Sequence, residues 1–464
     1  MSNTPTEKDG AIYDAKQLGM PKMLILGLQH MFAMFGATIL VPILVNSYFH
    51  GEGLSIQVTL FFAGVGTLFF HICAKLKVPA FLGSSFAFLG GFATVAELNS
   101  GIFANMTYGE KLPYACGGIV VAGLLYLVLA LVIRLVGVKR VMRFLPPIVT
   151  GPIIICIGLS LAGSAINNAQ TNWFLALVAL IVIIVFNIWG KGMFKIIPIL
   201  MGVLISYAVA LAMQFAGMTN PDGSAIIDFT STASSAWVGL PDFILCKFNL
   251  TAVLVMAPIA IATMMEHIGD MSAISATVGE NFLEDPGLHR TLIGDGLATS
   301  LSAFFGGPAN TTYGENTGVL ELSRVFDPAV IRIAAVYAVV LSFVPKFASI
   351  IGSMPASIIG GVSFILYGMI SAIGIRNVVE NRVDLTNSRN LIIAAVILVC
   401  GLGFSSGLTF EIAGTSITLT SLAIASIAGV LLNAILPGND YEFGVNPEGD
   451  MNRGVTLKAR HRKD

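Results

Sequence analysis

The stretch from Gly306 to Gly318, GGPANTTYGENTG, most constrains what this chain can fold into. It lies between two long apolar runs, but its proline and four glycines do not suit a regular membrane helix. Ala309 to Tyr313 is predicted to be extended, and Glu315 to lie in the first turn of a new helix. Irregular backbone survives at membrane depth only where it is buried in protein or lines a cavity. A carboxylate there indicates a functional site; the alternative is a polar loop that reaches the surface.

The composition places these apolar runs in a membrane. The 464 residues are 55% hydrophobic and 11% charged, whereas soluble domains carry roughly 25% charged residues. A polytopic membrane protein is therefore predicted. The net charge of −1 gives no global basic field for nucleic acid. The five cysteines form no CxxC pair, so neither a metal site nor a disulfide framework is indicated. We expect no cofactor and no enzymatic activity, because no metal-ligand cluster or nucleophile–histidine pair accompanies the carboxylates.

Apolar runs near the ~20 residues that a bilayer requires predict fourteen segments. The polar N-terminus lacks the order of a cleaved signal peptide and is expected to be a cytoplasmic tail. The predicted segments are 24–45, 58–74, 81–98, 114–135, 147–166, 173–188, 196–215, 250–277, 288–305, a broken segment 10 that ends near 322, 331–351, 356–373, 391–404 and 419–436.

The lysines and arginines predict the orientation. With the N-terminus inside, 22 of the 25 fall on the inner side, and only Lys111, Lys247 and Lys346 fall outside. Both termini are therefore predicted to be cytoplasmic, in a multi-pass protein of the cytoplasmic membrane. The basic clusters are interpreted as ordinary positive-inside anchors, with a lipid-specific site as the alternative. The clusters are Arg134, Lys139, Arg140 and Arg143, and LKARHRKD at the C-terminus.

Segment 3 contains a second broken element, PAFLGSSFAFLGG, from Pro79 to Gly91. Phe86 and Tyr313 are 227 residues apart, and the broken segments are third and tenth, so each is third in a set of seven. Because seven is odd, the second set enters from the opposite side. Interrupted helices at matching positions of inverted repeats indicate a binding site at the membrane midplane. Their N-termini would offer backbone N–H groups there; coincidence of two glycine-rich helices is the alternative.

Segment 8 contains further charges, in the sequence MMEHIGDMS. Glu266 and Asp270 are spaced i and i+4 and therefore share one helical face, whereas His267 lies on another. Two close carboxylates in a low dielectric should not both be ionised, which suits a proton-coupled carrier. Location in the cytoplasmic interface is the alternative for both. Pro258 is predicted to kink this helix.

Three residues of other segments are weaker candidates. His30 in segment 1 is either a structural hydrogen-bonding residue or a proton carrier. Ala37, beside Gly36, indicates close helix approach or space for a ligand. Tyr367 in segment 12 is either a wall of the substrate cavity or an interface tyrosine.

The candidate residues favour a particular ligand. Carboxylates accept hydrogen bonds from N–H groups, backbone N–H groups near Gly314 donate to carbonyl oxygens, and the rings of Phe86 and Tyr313 stack on flat heterocycles. The complementary ligand is small, planar and near neutral, with alternating N–H and C=O groups along its edge. An anion would favour arginine or lysine, and neither broken stretch contains one.

Several strings of the chain resemble the nucleobase–ascorbate transporter family, and among its members bacterial uracil permeases, which are uracil:proton symporters. The resemblance covers about residues 27–436, and NTTYGEN is its most specific part. Xanthine and urate members typically have glutamine near the position of Glu315, which favours a pyrimidine here. The strings are LQHMFAMFGATILVP, PAFLGSSFAF, EHIGD, DPGLHRTLIGDGLATSLSAFFGGPANTTYGEN and GGVSFILYG.

The resemblance implies an all-α membrane protein of fourteen segments in two inverted repeats of seven, with short paired strands in segments 3 and 10. It implies a core domain of segments 1–4 and 8–11, a gate domain of segments 5–7 and 12–14, and a homodimer through the gate. The implied boundaries are an N-tail at 1–23, core at 24–135, gate at 136–215, an extracellular loop at 216–249, core at 250–353, gate at 354–436 and a C-tail at 437–464.

The resemblance also implies roles for individual residues. Glu266 and Glu315 would hydrogen-bond the N–H and carbonyl edge of uracil, Phe86 would stack, and the Gly314 backbone would contact a carbonyl. Tyr313 would lie near the ring, and Tyr367 and Ala37 would line the cavity. Some uracil permeases have histidine where this chain has Asp270, which puts a shared proton-relay role in doubt. Asp270 would then pair with His30 or His267.

The mechanism expected from these assignments is proton-coupled alternating access. A proton from outside neutralises a carboxylate, which is expected to be Glu266, and the neutral site accepts uracil. Asp270 and His30 are the alternative proton carriers. The loaded core then slides against the gate, as in an elevator, because an empty, charged core would cross poorly. A purine symporter of the same fold is the closest alternative, and an anion transporter is a more distant one.

Overall fold

The structure, a computed structural model, describes residues 11–412, 415–439 and 441, and within them each of the fourteen predicted segments contains helix. In these ranges, seven helices are long and apolar enough to cross a membrane, or eight if a bent pair in segment 11 is one span. The others are shorter or broken, as predicted for segments 3 and 10. The chain is therefore a multi-pass membrane protein.

The elements of the first seven segments follow the predicted order. Segment 3 begins with the strand β1 (Leu82–Ser84) and continues as a 3₁₀ turn and a short helix. The helices are Ala15–Leu18 (3₁₀) in the N-tail, Met20–Tyr48 (segment 1), Ile56–Cys73 (2), Phe86–Phe88 (3₁₀) and Leu89–Ala96 (3), Gly101–Phe103 (3₁₀), Tyr108–Val136 (4), Val138–Met142, Pro147–Ser160 and Ala162–Ala169 (5), Trp173–Trp189 (6), Met193–Ile196 and Pro198–Phe215 (7).

The second seven segments repeat this order after the long loop. Segment 10 begins with the strand β2 (Asn310–Thr312), and a hairpin of strands β3 (Leu408–Ile412) and β4 (Thr415–Leu419) precedes segment 14. The helices are Thr230–Ser234 in the loop, Leu250–Met256, Ala257–Ile259 (3₁₀) and Ala260–Val278 (8), Leu283–Gly287 (π), Leu288–Phe304 (9), Gly314–Ser323 (10), Pro328–Ser342 and Pro345–Gly352 (11), Ala356–Glu380 (12), Ser388–Gly403 (13) and Ser421–Ile435 (14).

Local signals explain where the segments differ from the predicted boundaries. Segment 4 begins at Tyr108, earlier than predicted, because Thr107 and Glu110 form a capping box that satisfies two backbone N–H groups. At Pro258, where a kink is predicted, a 3₁₀ turn interrupts the helix of segment 8. Segment 11 was predicted as one continuous run, and this is wrong. Its two helices are bent by 86° before Pro345, which cannot continue the preceding helix's hydrogen bonding.

The helices pack in two groups. Segment 4 packs on segment 9, segment 2 on segments 9 and 11, and segment 1 on segment 11. In the other group, segment 12 packs on segments 5 and 6, segment 13 on segments 5 and 14, and segment 7 on segment 6. The first group contains only segments that the resemblance assigns to a core domain, and the second only segments that it assigns to a gate domain. Their boundaries and roles stay a prediction.

Two faces of the molecule can be distinguished by loop contacts. In the N-tail, Ile12 forms a β-bridge with Val325, between segments 10 and 11, and the Tyr13 hydroxyl donates to the carbonyl of Val278 at the end of segment 8. The N-tail and the two loops therefore share one face, as the predicted topology requires.

The loop at 216–249 covers the opposite face. Its Gly239 N–H donates to the carbonyl of Phe343 (3.1 Å), between the two helices of segment 11, and its Cys246 N–H donates to that of Phe304 (3.0 Å), at the end of segment 9. The loop is thus fixed to segments 9 and 11 by main-chain hydrogen bonds.

The contact between segments 4 and 9 depends on two glycines. A Cβ on Gly123 would lie 2.5 Å from the carbonyl oxygen of Gly296, and one on Gly296 would lie 2.6 Å from that of Gly123. Only glycine lets the two backbones come this close.

We expect Gly123→Ala to lower the free energy of unfolding by about 1–3 kcal/mol, because the new methyl group overpacks a backbone contact. The thermal unfolding midpoint of the purified protein in detergent measures this. Gly90→Ala is the control, since a Cβ there meets no atom within 4 Å. Equal midpoints for the two variants would contradict the close-packing argument.

Candidate substrate-binding site

The two broken segments meet through their strands. β1 and β2 pair antiparallel, with Leu82 opposite Thr312 and Ser84 opposite Asn310. Two more main-chain hydrogen bonds extend the pair, one at each end: Ser85 N–H to the Ala309 carbonyl (2.9 Å) and Tyr313 N–H to the Phe81 carbonyl (3.0 Å). The donors directly follow their strands and the acceptors directly precede them, so the two bonds are equivalent in the two halves. The predicted pairing of segments 3 and 10 is therefore confirmed.

The outer edge of each strand is hydrogen-bonded by a threonine hydroxyl. The Thr67 hydroxyl oxygen accepts from the N–H of Leu82 (2.9 Å) and lies 3.2 Å from its carbonyl oxygen. The Thr299 hydroxyl accepts from the N–H of Asn310 (3.2 Å) and donates to its carbonyl (2.9 Å). Each threonine is in the second segment of its half, and each bonds the first residue of its strand. A buried strand edge without such partners would be costly.

A second pair of side chains repeats the pattern before each strand. Nε2 of His71, in segment 2, lies 2.8 Å from the carbonyl oxygen of Ala80, and the Ser302 hydroxyl, in segment 9, donates to the carbonyl of Pro308 (2.6 Å). Both acceptors precede their strand by two residues. The two halves therefore share this hydrogen-bond pattern although the side chains differ.

A small cavity of about 40 Å³ lies beside β2 and the first turn of the helix that follows. This volume holds a few water molecules. Five of the predicted site residues line it together with Asp270. The lining residues are Phe86, Ile154, Glu266, Asp270, Thr311, Thr312, Tyr313, Gly314, Glu315, Ile370 and Ile373.

The cavity is acidic. Glu266, Asp270 and Glu315 all line it, and no lysine or arginine does. Asp270 accepts a hydrogen bond from the Thr312 hydroxyl (2.8 Å), whereas Oε2 of Glu266 is buried without a partner. Three carboxylates in one low-dielectric cavity cannot all be ionised. The cavity can therefore hold a proton and can accept hydrogen bonds from a ligand.

The helix of segment 10 begins at Gly314, so Glu315 lies in its first turn, as predicted. The first N–H groups of a helix have no partner within the helix and carry the positive end of its dipole. The cavity thus places main-chain donors beside carboxylate acceptors.

Tyr313 is fixed by its own hydrogen bonds. Its hydroxyl donates to the Ser84 carbonyl (3.0 Å), and the Thr38 hydroxyl lies 3.4 Å from it. A Cβ on Gly83 would lie 2.4 Å from the Tyr313 ring, so the ring lies flat against the strand backbone. Tyr313 therefore contributes ring carbons to the cavity, while its hydroxyl is hydrogen-bonded to the Ser84 carbonyl of β1.

The remaining predicted residues lie outside this cavity. Tyr367 packs behind Phe86, with ring centroids 5.9 Å apart at 75°, and supports that ring edge-on. Ala37 is fully buried next to Thr38. The Asn316 side-chain amide donates to the His30 carbonyl (3.1 Å), and its nitrogen lies 3.2 Å from Nδ1 of the His30 ring. These contacts give this histidine a structural role.

The expected pairing of Asp270 with His30 or His267 is wrong. Asp270 is bonded by Thr312. Nδ1 of His267 lies 2.8 Å from Oδ2 of Asp295 in segment 9, within ion-pair distance but outside hydrogen-bond geometry, and both side chains are fully buried. His267 points away from the cavity because it is on another face of its helix than Asp270.

Sequence reasoning missed Asp295 and the apolar wall. Asp295 stands in the quoted string LIGDGLATS, where a charge inside an apolar run was a usable signal. Ile154, Ile370 and Ile373 gave no signal, because isoleucine is common throughout such a chain.

A larger cavity of about 370 Å³ adjoins the small one. It shares Gly314, Glu315, Ile370 and Ile373 with it and extends to Lys195 and Arg376, which belong to predicted cytoplasmic ends. Segments 1 and 10 form one side, and segments 7 and 12 the other. The larger cavity therefore borders the small one at Glu315 and extends along the junction of the two helix groups.

Residues 21–410 match the Permease family. The chain belongs to this family. It is 41% identical over 430 residues to the uracil permease of Bacillus caldolyticus, covering 89% of this chain and 92% of that protein. It is 39% identical to the uracil permease of Bacillus subtilis (88% and 91% covered) and 37% identical to that of Escherichia coli (88% and 90%). These matches confirm the predicted membership.

Solved structures support the permease fold. The transmembrane domain of the cyanobacterial bicarbonate transporter BicA matches with a TM-score of 0.60 at 14% identity, covering 90% of this chain and 99% of that one. The murine Solute Carrier 26 family member A9 anion transporter, in an inward-facing state, matches with a TM-score of 0.59 at 11% identity, covering 93% and 73%. The fold of fourteen segments in two inverted sevens is thereby confirmed.

Thr299→Val keeps the shape of the side chain but leaves the N–H and carbonyl of Asn310 without their bonds. We expect it to lower the free energy of unfolding by about 1–3 kcal/mol, because buried main-chain groups would be unsatisfied. Thermal unfolding in detergent measures this. The control is Thr94→Val, whose hydroxyl forms an exposed hydrogen bond to the Gly90 carbonyl of its own helix. A Thr299→Val midpoint equal to the control's would show that the hydroxyl does not stabilise the strand.

Proposed function

We propose that this permease imports uracil together with a proton. The observation that carries the proposal is the cavity in which three carboxylates, an aromatic ring and a helix N-terminus meet without any basic side chain. Uracil is planar and near neutral and presents N–H and C=O groups along one edge. The relatives named above as uracil permeases support the same substrate.

The proposed contacts follow from the donors and acceptors of the cavity. Glu266 and Glu315 bond the N–H and carbonyl edge of the ring, the Gly314 main chain donates to a carbonyl, and Phe86 stacks. Tyr367 supports Phe86 from behind. The small cavity opens to admit the ligand from the adjoining one, with which it shares Gly314 and Glu315.

Proton coupling follows from the number of carboxylates. An empty cavity with ionised Glu266 would carry a buried, unpaired charge, whose movement through the membrane is costly. A proton on Glu266 removes this cost and lets the carboxyl group bond uracil. Asp270 is less suited to be the coupling group because the Thr312 hydroxyl stabilises its charged form.

The distribution of polar groups supports an elevator mechanism. Every polar residue lining the small cavity belongs to segments 8 and 10, in the proposed core, whereas segments 5 and 12 of the proposed gate contribute only Ile154, Ile370 and Ile373. At the cavity, core and substrate can therefore slide along these gate isoleucines without breaking a side-chain hydrogen bond to them. The cavity along this junction opens toward the proposed cytoplasmic side, with both termini cytoplasmic.

Anion transport, the activity of the bicarbonate and anion transporters that share this fold, is disfavoured here. An anion requires a compensating positive charge, and the small cavity has three carboxylates and no lysine or arginine.

The proposal is tested by uptake of radiolabelled uracil into proteoliposomes with and without an inward proton gradient. We expect accumulation that depends on the gradient and collapses with an uncoupler, and competition by unlabelled uracil but not by xanthine or hypoxanthine. Uptake of a purine with no uracil uptake would overturn the substrate. Uracil uptake unaffected by the gradient would overturn the coupling.

Glu266→Gln separates binding from coupling. Because the amide is neutral at every pH and can still hydrogen-bond the ring, we expect uracil exchange across the membrane to persist and gradient-driven accumulation to fall at least tenfold. Counterflow and gradient-driven uptake in the same vesicles measure the two activities. Glu97→Gln, at an exposed carboxylate after the helix of segment 3, is the control. Gradient-driven uptake by Glu266→Gln at the control's level would exclude Glu266 as the coupling group.

A further inference from the structure

A third cavity, of about 720 Å³, is lined by residues far along the chain from the carboxylates. The end of segment 4, the linker to segment 5 and the end of segment 14 enclose it. Its lining residues are Val132, Val136, Arg140, Val141, Arg143, Phe144, Ala434, Ile435, Leu436, Pro437, Gly438 and Asn439. We propose that this cavity binds the headgroup and first acyl carbons of one anionic glycerophospholipid.

The charge of the cavity indicates an anionic ligand. Arg140 and Arg143 line it, and none of its lining residues is an aspartate or glutamate. Within the described ranges, neither arginine forms an ion pair with a carboxylate. A guanidinium group carries five N–H donors in a geometry that matches phosphate, and Arg143 uses one of them on the Asn439 carbonyl (3.3 Å).

The apolar part indicates a lipid rather than a free anion. Val136, Phe144 and Ile435 line the cavity and are 43%, 51% and 73% exposed. In a membrane protein such side chains contact acyl chains, whereas inorganic phosphate would leave them unpartnered. Basic pockets between helices at the cytoplasmic interface recognise anionic headgroups in this way. The inner leaflet is assigned from the proposed orientation.

The backbone around the cavity is fixed in place. The Asn433 side-chain amide donates to the carbonyls of Arg143 (3.0 Å) and Phe144 (3.2 Å), and the Asn439 amide also donates to Arg143 (3.1 Å). Arg389 donates to the Asn433 side-chain oxygen (2.9 Å). The linker is therefore tied to the end of segment 14, and both arginines project from an ordered backbone.

The cavity lies between the two groups of segments, so a bound lipid would contact both. Val132 belongs to segment 4, in the proposed core, while the linker and Ile435 belong to the proposed gate. A bound lipid would bridge the two groups at the chain's first crossing between them. We expect it to stabilise the protein against unfolding.

The test uses the purified full chain in detergent, titrated with dioleoyl phosphatidylglycerol, dioleoyl phosphatidylcholine or inorganic phosphate. Native mass spectrometry counts bound lipid, and the thermal unfolding midpoint reports stabilisation. We expect phosphatidylglycerol alone to bind and to raise the midpoint. Arg140→Gln should weaken its binding about fivefold, the effect of roughly one interfacial charge.

Lys139→Gln is the matched control, because Lys139 is exposed and adjacent but does not line the cavity; it should bind phosphatidylglycerol like the parent protein. Val136→Trp, which fills the apolar part and keeps both arginines, should also weaken binding.

Four results would overturn the proposal. Equal losses in Arg140→Gln and Lys139→Gln would indicate diffuse charge, and equal binding of phosphatidylcholine would indicate no headgroup recognition. An equal midpoint rise with inorganic phosphate would indicate a soluble anion. Binding of phosphatidylglycerol only after Glu442 and Glu448 of the C-tail are changed to glutamine would indicate that the tail is the native occupant.

Discussion

The structure depends on hydrogen bonds to two three-residue strands in the interior of a membrane protein. Paired strands satisfy each other on their inner edges, but each outer edge requires a partner, since no lipid can supply one. Thr67 and Thr299 provide it from the second segment of each half. These threonines are at matching positions, so the two inverted halves share a hydrogen-bond pattern as well as a topology. The strands then hold Phe86 and Gly314 where the chain leaves each strand.

This arrangement places the polar residues of the small cavity and its apolar wall in different groups of segments. The group of segments that holds the strands also contributes every polar residue lining the small cavity, and the other group contributes only isoleucines. An apolar surface forms no directional bonds with a ligand, so it can serve as a wall in more than one relative position of the two groups. The larger cavity follows this same junction.

Much of the fold followed from periodic and local signals. Long apolar runs predicted the segments, and Pro308 with its neighbouring glycines predicted the break in segment 10. Segment 11 was the error, because an apolar composition continues through Pro345 although the helix bends there by 86°. Within the cavity, Glu266 and Glu315 could be identified since charge is rare in apolar sequence. Ile154 and Ile370 could not, because nothing in their local sequence distinguishes them from other apolar residues.

The sequence alone determined the class of protein and the number of segments, because both follow from long apolar runs. It also determined the two broken helices and the carboxylates that line the cavity, because these are local departures from apolar composition. Only the tertiary structure decided which polar groups meet. Asp270 contacts Thr312 rather than a histidine, and His267 faces Asp295 on segment 9. Tertiary packing also brings Arg140 and Arg143 to a cavity with the end of segment 14, far away in sequence. Partners of this kind depend on how helices are oriented against one another, and a helical face is defined by its neighbours as much as by its own residues.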